Sequence, residues 1–383
     1  MVDFNDTNFE TRAIHVGQEA DEQTGAVTVP IHLSTTYAQQ GVGIHKGFEY
    51  SRTSNPTRVA LETQLASLEA VRFGHSFASG LAAEDTILRM LKPGDNILLG
   101  NDAYGGTFRI ISAVWKDFGL TWTAVDLTDP EAVAAAWTPA TKLVWLETPT
   151  NPNLNVFDIA TVADAAHAHG GLCVVDNTFA TPYLQQPVTL GADLVIHSAT
   201  KYLGGHSDVV GGFVGTDNEE LSARLAYLQN AVGAIPAPFD CYMLLRGVKT
   251  LGVRMDRHSE NAAAIAAMLE GHAAVESVLY PGLESHPGHE VATRQMRNYG
   301  GMVSFTPTGG VEAAHRIVTS TSVFTLAESL GAVESLIEVP AGMTHGSAAG
   351  SPLEVGADLV RLSVGIEHVD DLLDDLAKAL SVA

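Results

Sequence analysis

Asp193-Leu194-Val195-Ile196-His197-Ser198-Ala199-Thr200-Lys201-Tyr202-Leu203-Gly204-Gly205-His206 joins a short apolar run to a polar segment that ends in glycine. The first half has the character of a strand buried on both faces of a parallel sheet, which places Lys201 just past a strand end. In open α/β sheets ligands bind in the crevice beyond the carboxyl ends of the strands. The same pattern recurs upstream. Spacing predicts strands over 96–99, 121–125, 142–147 and 172–176, with helices over 57–72, 108–115, 130–136 and 158–169 between them. Alternating strands and helices with nearly all-apolar strands describe a parallel sheet covered on both faces. Tyr104, Glu147 to Pro152, Asp176 and Lys201 then all follow strand ends on one rim.

Ser79-Gly80-Leu81 precedes an apolar-periodic run, so Ser79 reads as a helix N-cap. Gly80 lets a ligand approach the backbone, and the free N–H groups of the helix start suit an anion. Residues 1–60 are rich in Gly, Pro, Thr and Asn, and so long an irregular arm commonly reaches a partner or carries function. Within the arm, Glu49-Tyr50-Ser51-Arg52 offers a guanidinium fork suited to phosphate or carboxylate. Downstream, a return strand is expected over 209–214 and helices over 219–270, broken at Ile235-Pro236-Ala237-Pro238. Short strands over 277–280, 302–305 and 359–363, with helices over 311–318 and 368–380, describe a smaller α+β unit. The expected division is an arm over 1–60, a large domain over 61–255 and a small domain over 256–383.

With 44 Asp and Glu against 21 Lys and Arg, the formal charge of −23 repels nucleic acid and anionic membranes. Cys173 and Cys241 are isolated, so no disulfide framework is expected. The N-terminus is acidic where a signal peptide would be basic and then apolar, and no apolar run has the length of a membrane span. A soluble, cytoplasmic protein is expected.

Pyridoxal 5'-phosphate accounts for the rim residues one by one. A lysine amine in a desolvated pocket can hold a carbonyl cofactor covalently. Gly80, Leu81, Ser198 and Thr200 suit a phosphate, Tyr104 the face of a ring, and Asp176 a protonated ring nitrogen.

The segments Tyr50 to Thr57, Ala103-Tyr104-Gly105-Gly106-Thr107, Glu147 to Pro152, Val175 to Phe179 and His197 to Tyr202 resemble, in order, those of the transsulfuration enzymes. This is the pyridoxal phosphate family of cystathionine γ-synthase, cystathionine γ-lyase and methionine γ-lyase. Ala327-Glu328-Ser329-Leu330-Gly331 and Arg361 to Glu367 extend the similarity over nearly the whole chain. The resemblance implies the aspartate-aminotransferase-like (type I) α/β fold: a mostly parallel seven-stranded sheet in the large domain, a smaller C-terminal α+β domain and an extended N-terminal arm. It implies a covalent imine between the cofactor and Lys201, with Lys201 and Tyr104 as the catalytic residues. Asp176 would pair with the ring nitrogen; Ser198, Thr200, Gly80 and Leu81 would hold the phosphate. Tyr50 and Arg52 would reach the phosphate of a neighbouring subunit in a homotetramer built from active dimers. Arg361, with Asn151 and Ser329 beside it, would clamp the α-carboxylate of an amino-acid substrate. Leu81 stands where many members carry methionine, a departure that leaves a backbone contact intact.

Glu49 and Glu328 align with acids near the distal end of the substrate in the cystathionine-handling members, and Gly106 stands where methionine γ-lyases typically carry cysteine. A cystathionine-handling member is therefore expected; no residue decides between cystathionine γ-lyase, the leading expectation, and γ-synthase, the alternative, and methionine γ-lyase or O-acylhomoserine sulfhydrylase stand behind them. A nicotinamide dehydrogenase would need a Gly-x-Gly-x-x-Gly turn that the chain lacks. His286-Pro287-Gly288-His289 falls in a turn rather than on one helix face, which disfavours a metal hydrolase. A non-catalytic binding protein of this fold would be expected to have lost Lys201 or Asp176, and both are present.

Overall fold

A computed structural model describes residues 4–382 of the chain. Seven strands form the larger sheet: β1 (Phe73–Phe77), β2 (Asn96–Gly100), β3 (Thr121–Val125), β4 (Thr141–Glu147), β5 (Leu172–Asp176), β6 (Leu194–Ser198) and β7 (Gly212–Thr216). Their spatial order is β1-β7-β6-β5-β4-β2-β3. The run from β6 to β3 is parallel, and β7 is antiparallel to both of its neighbours.

The apolar strands divide their side chains by the two-residue period of a pleated sheet. Ile97, Leu99, Leu143, Trp145, Val174 and Ile196 enter one core, closed by the helix Gly80–Leu88. Leu98, Val144, Leu146, Cys173 and Val175 enter the other, closed by the helices Pro130–Ala136 and Ile159–Ala168. Each such side chain contributes roughly 1.5–3 kcal/mol by leaving water, so a one-residue slip in register would be very costly.

A second sheet runs in the order β10-β11-β12-β9-β8, from β8 (Val275–Leu279), β9 (Met302–Pro307), β10 (Thr325–Leu326), β11 (Leu336–Glu338) and β12 (Val360–Ser363). The helices Gly310–Val318 and Val369–Leu380 cover it. The 20-residue helix Leu251–Glu270 serves both cores. Leu251 and Met255 pack with residues of the larger unit, whereas Ala262, Ile265, Ala266 and Leu269 pack with the smaller.

Two expectations need correction, and one strand was not anticipated. The return strand lies at Gly212–Thr216, not 209–214, because Gly211 is occupied by both a donor and an acceptor contact with the Thr200 hydroxyl. β1 is missed by periodicity, since Phe73-Gly74-His75-Ser76-Phe77 carries no apolar run; its pairing with β7 forms it. The expected helix over 108–115 is irregular, passing from α at Gly105–Arg109 through a π turn at Ile110–Val114 to 3-10 at Trp115–Phe118.

The arm holds one short helix, Phe9–His15, and then runs without regular structure to Asn55, exposing Val27, Leu33, Val42 and Ile44. Asn55 ends it by accepting N–H bonds from Thr57 and Arg58, with Pro56 opening the next helix. Among the described residues no helix is long and apolar enough to cross a membrane.

Candidate active site

The carboxyl ends of β2, β4, β5 and β6 share one rim, and between that rim and the second sheet lies a cavity of about 280 Å³. Gly80, Leu81, Tyr104, Asn151, Asp176, Ser198, Thr200, Lys201, Glu328, Ser329 and Arg361 all line it, as the sequence led us to expect. Glu49, Tyr50 and Arg52 do not. They are exposed on the arm, where the Arg52 guanidinium donates to the backbone and side-chain oxygens of Asn230 at 2.6 and 3.0 Å.

Lys201 Nζ donates to Ser329 Oγ at 2.7 Å. Burial, and then the positive charge of Arg361, push the lysine down to about 8, while Glu338 and Glu328 oppose the shift. The amine is therefore much closer to its neutral, nucleophilic form at physiological pH than an exposed lysine is. We expect coenzyme uptake by the apoprotein to accelerate with rising pH and to level off above about 8. Uptake rates that stayed flat from about pH 6.5 to about pH 8.5, a window that runs up through the lysine's lowered range, would overturn this assignment of the amine.

Acids crowd the opposite end. Asp176 closes β5 and accepts the Thr178 N–H at 2.9 Å; burial raises it, and the Thr178 hydrogen bonds and His197 partly offset that. Glu147 closes β4 and accepts the Tyr104 N–H at 2.9 Å. Glu84, on the helix Gly80–Leu88, keeps one buried carboxylate oxygen without a partner. Burial first, and then the charge of Asp176, hold Glu84 and Glu147 well above the usual carboxylate range. A pocket so rich in acid is suited to a cation, and a protonated ring nitrogen beside Asp176 would meet that need.

The start of the helix Gly80–Leu88 faces the same space. Ser79 caps it by accepting the Ala82 N–H at 3.1 Å. A Cβ at Gly80 would stand 2.9 Å from the Ser198 Cβ, so glycine is what allows the helix end to sit against β6. Among the described residues lining the cavity, Lys201 and Arg361 are the cations, and both are tied to Ser329. The Ser198 and Thr200 side chains and the helix-start N–H groups can receive a phosphate there. Room, donors and ring-facing acid thus fit pyridoxal phosphate.

Arg361, on β12, is buried. Its guanidinium donates to Asn151 Oδ1 at 2.6 Å and to the Ser329 carbonyl at 2.9 Å, and pairs with Glu338 Oε1 at 3.0 Å. Ser329 itself has φ of 91°, a left-handed conformation rare for a residue with a side chain, held between Lys201 and Arg361. At Gly106, where methionine γ-lyases typically carry cysteine, an added Cβ would collide with the Tyr104 ring, so a side chain there would require that ring to move. His286 and His289 are committed to the turn: His286 Nδ1 accepts the Gly288 N–H at 3.0 Å, and His289 Nδ1 lies 2.8 Å from the Pro281 carbonyl.

Sequence reasoning missed Glu84, Thr178, Phe179, Thr344 and Glu338. The first four line the cavity and Glu338 lies behind it. Glu84 carried a usable signal, being an acid on the buried face of a predicted helix; Thr344 and Glu338 carried none.

The family description Cys/Met metabolism PLP-dependent enzyme matches residues 10–381. The cystathionine gamma-synthase of Mycobacterium tuberculosis is 58% identical over 372 residues, covering 97% of this chain and 96% of that protein. The cystathionine gamma-lyase of Dictyostelium discoideum is 50% identical over 384 residues, with 99% of each chain covered. The crystal structure of metB from Corynebacterium glutamicum superposes with a TM-score of 0.98 at 54% identity, covering 100% of both chains. Likeness of that extent, over a cleft with the space and the donors the coenzyme needs, means that the chain belongs to the Cys/Met metabolism PLP-dependent enzymes.

Proposed function

We propose that this enzyme works at the γ-carbon of four-carbon amino acids and that its principal reaction joins cysteine to an O-acyl-L-homoserine, giving cystathionine. The observation that carries the reading is the 58% identity, end to end, with a cystathionine gamma-synthase. Breakdown of cystathionine to cysteine, 2-oxobutyrate and ammonia, the leading expectation from sequence, is the second reading. It is supported by the lyase relative at 50% identity. Glu328 on the cavity wall would serve either reaction by attracting a distal ammonium.

When bound, pyridoxal phosphate supplies an electron sink that makes protons on the substrate's α- and β-carbons acidic. Lys201 Nζ would hold it and would be the base for those protons, with Ser329 Oγ steadying the amine. Tyr104, whose phenol is held above its ordinary range by burial and then by Glu84, keeps its proton for the leaving group. Asp176 would hold a ring nitrogen charged. Arg361, flanked by Asn151, receives the α-carboxylate and so presents the adjoining C–H bond to Lys201.

Among the described residues lining the cavity the only cations are Lys201 and Arg361, which the reading above assigns to the amine and the carboxylate, while Tyr50 and Arg52 stand outside it on the arm. That supports the arm completing the phosphate site of a second copy, as in a homotetramer of active dimers, with Glu49 carried along beside that copy's cleft. Two buried, unpaired cysteines suit a reducing, cytoplasmic setting.

Side-by-side assays of the purified holoenzyme decide between the reactions. We expect cystathionine formation from an activated homoserine ester and cysteine to exceed 2-oxobutyrate release from cystathionine by about tenfold or more in kcat/KM. The opposite ratio would replace the first reading with the second, and methanethiol release from methionine is expected to trail both.

A further inference from the structure

Glu338 stands behind the cavity wall and pairs in register with Arg361 across the antiparallel strands β11 and β12. Both side chains are buried, with Glu338 at 1% and Arg361 at 2% relative exposure. Beyond the ion pair, their neighbours close a ring. The Thr344 hydroxyl lies 2.7 Å from Glu338 Oε1 and 2.9 Å from His345 Nδ1. His345 Nε2 donates to the Asn151 carbonyl at 3.1 Å, and Asn151 Oδ1 accepts from Arg361 at 2.6 Å.

Counting protons shows how tightly the ring is drawn. A carbonyl can only accept, so the His345 proton is on Nε2, and Nδ1 is an acceptor in the neutral ring. Burial, and then the charge of Arg361, push His345 down to about 4, which keeps it neutral. The single Thr344 proton therefore faces two acceptors, a carboxylate and an imidazole nitrogen. Changing either one alters what the other receives. The ring also reaches the coenzyme side of the cleft, because His345 meets the Tyr104 ring edge-on at 6.1 Å and Ser347 Oγ donates to the Gly105 carbonyl at 2.9 Å.

We propose that Glu338 is a positioning residue for substrate binding, presetting the Arg361 guanidinium and, through Thr344 and His345, the Asn151 side of the carboxylate site before an α-amino acid enters. The proposal rests on the reading of Arg361 as the carboxylate clamp. Glu338 does not line the cavity, so it acts through Arg361. Two of the five guanidinium N–H groups are donated to protein acceptors and the charge is paired with Glu338, whereas a floppy arginine would have to be ordered by each incoming substrate. Glu338 also offsets the pull of Arg361 on Lys201.

The test is a double-variant cycle on the holoenzyme, with KM, kcat and thermal unfolding measured for Glu338→Ala, Arg361→Ala and the pair. Glu338→Ala is expected to raise KM for the amino-acid substrate about tenfold, with a much smaller change in kcat, and to add little to Arg361→Ala in the pair. Glu338→Gln keeps an acceptor oxygen for Arg361 and Thr344 and should return KM to within about threefold of the parent. If Glu338→Ala does not fold, Glu338→Asp keeps the charge but withdraws the oxygens, and is expected to raise KM in the same direction. An unchanged KM in Glu338→Ala or Glu338→Asp overturns the proposal, as does an equal multiplication of KM with and without Arg361. An unchanged KM in Arg361→Ala removes the clamp reading itself, and the proposal with it.

Discussion

Lys201→Ala is expected to fold normally and to lose turnover by at least about 10³-fold, since in the proposed mechanism one amine is both anchor and proton carrier. Folding should survive because burial opposes the charge on this lysine, so removing it relieves a desolvation cost. What is lost locally is one 2.7 Å hydrogen bond to Ser329. Such a bond contributes about 0.5–1.5 kcal/mol net, and more when one partner is charged. Turnover measured with coenzyme in excess, beside a thermal melt, checks both halves. An intact melt with activity within tenfold of the parent would remove Lys201 from its role. A collapsed melt would instead show that the amine is structural.

Arg361→Ala should weaken substrate binding by about 2–5 kcal/mol, the range for truncating one partner of a buried, hydrogen-bonded charge pair. At about 1.4 kcal/mol per factor of ten, KM would rise roughly 30-fold or more. Lysine in its place should recover little, because a point charge cannot reach Asn151, Ser329 and Glu338 together as the planar fork does.

The same change strips Glu338 of its strongest favourable neighbour. Burial already raises that carboxyl, and Arg361 is the first influence holding it down. Without the arginine its folded pKa climbs further above the unfolded value, so the folded state binds a proton that the unfolded state releases. The contribution of this group to the variant's stability should therefore be fully present below the ordinary carboxylate range and be lost as pH rises through the raised pKa. A melt series from acid to neutral pH reads this directly. A deficit relative to the parent that shrank with rising pH would contradict the buried pair.

The rim of the large sheet was legible because local rules sufficed for it. β4, β5 and β6 are apolar runs buried on both faces, and Glu147, Asp176 and Lys201 lie at or just past their ends. Ser79 announced its cap by type and position. β1 was not legible: Gly74, His75 and Ser76 have no strand period, and the segment is a strand because β7 lies beside it.

By itself, then, the sequence determined the alternating architecture and the rim that carries Lys201 and Asp176, since each depends on side-chain period or on the few residues after a strand. Tertiary structure alone decided how Arg361 meets Asn151 from 210 residues away, how Ser329 comes to hold Lys201 from 128 residues away, and which acids crowd the ring end. The physical reason is that hydrogen bonding and desolvation depend on distance through space. Glu84, Glu147 and Glu338 acquire their raised pKa values when packing excludes water around them, and no spacing along the chain encodes that exclusion.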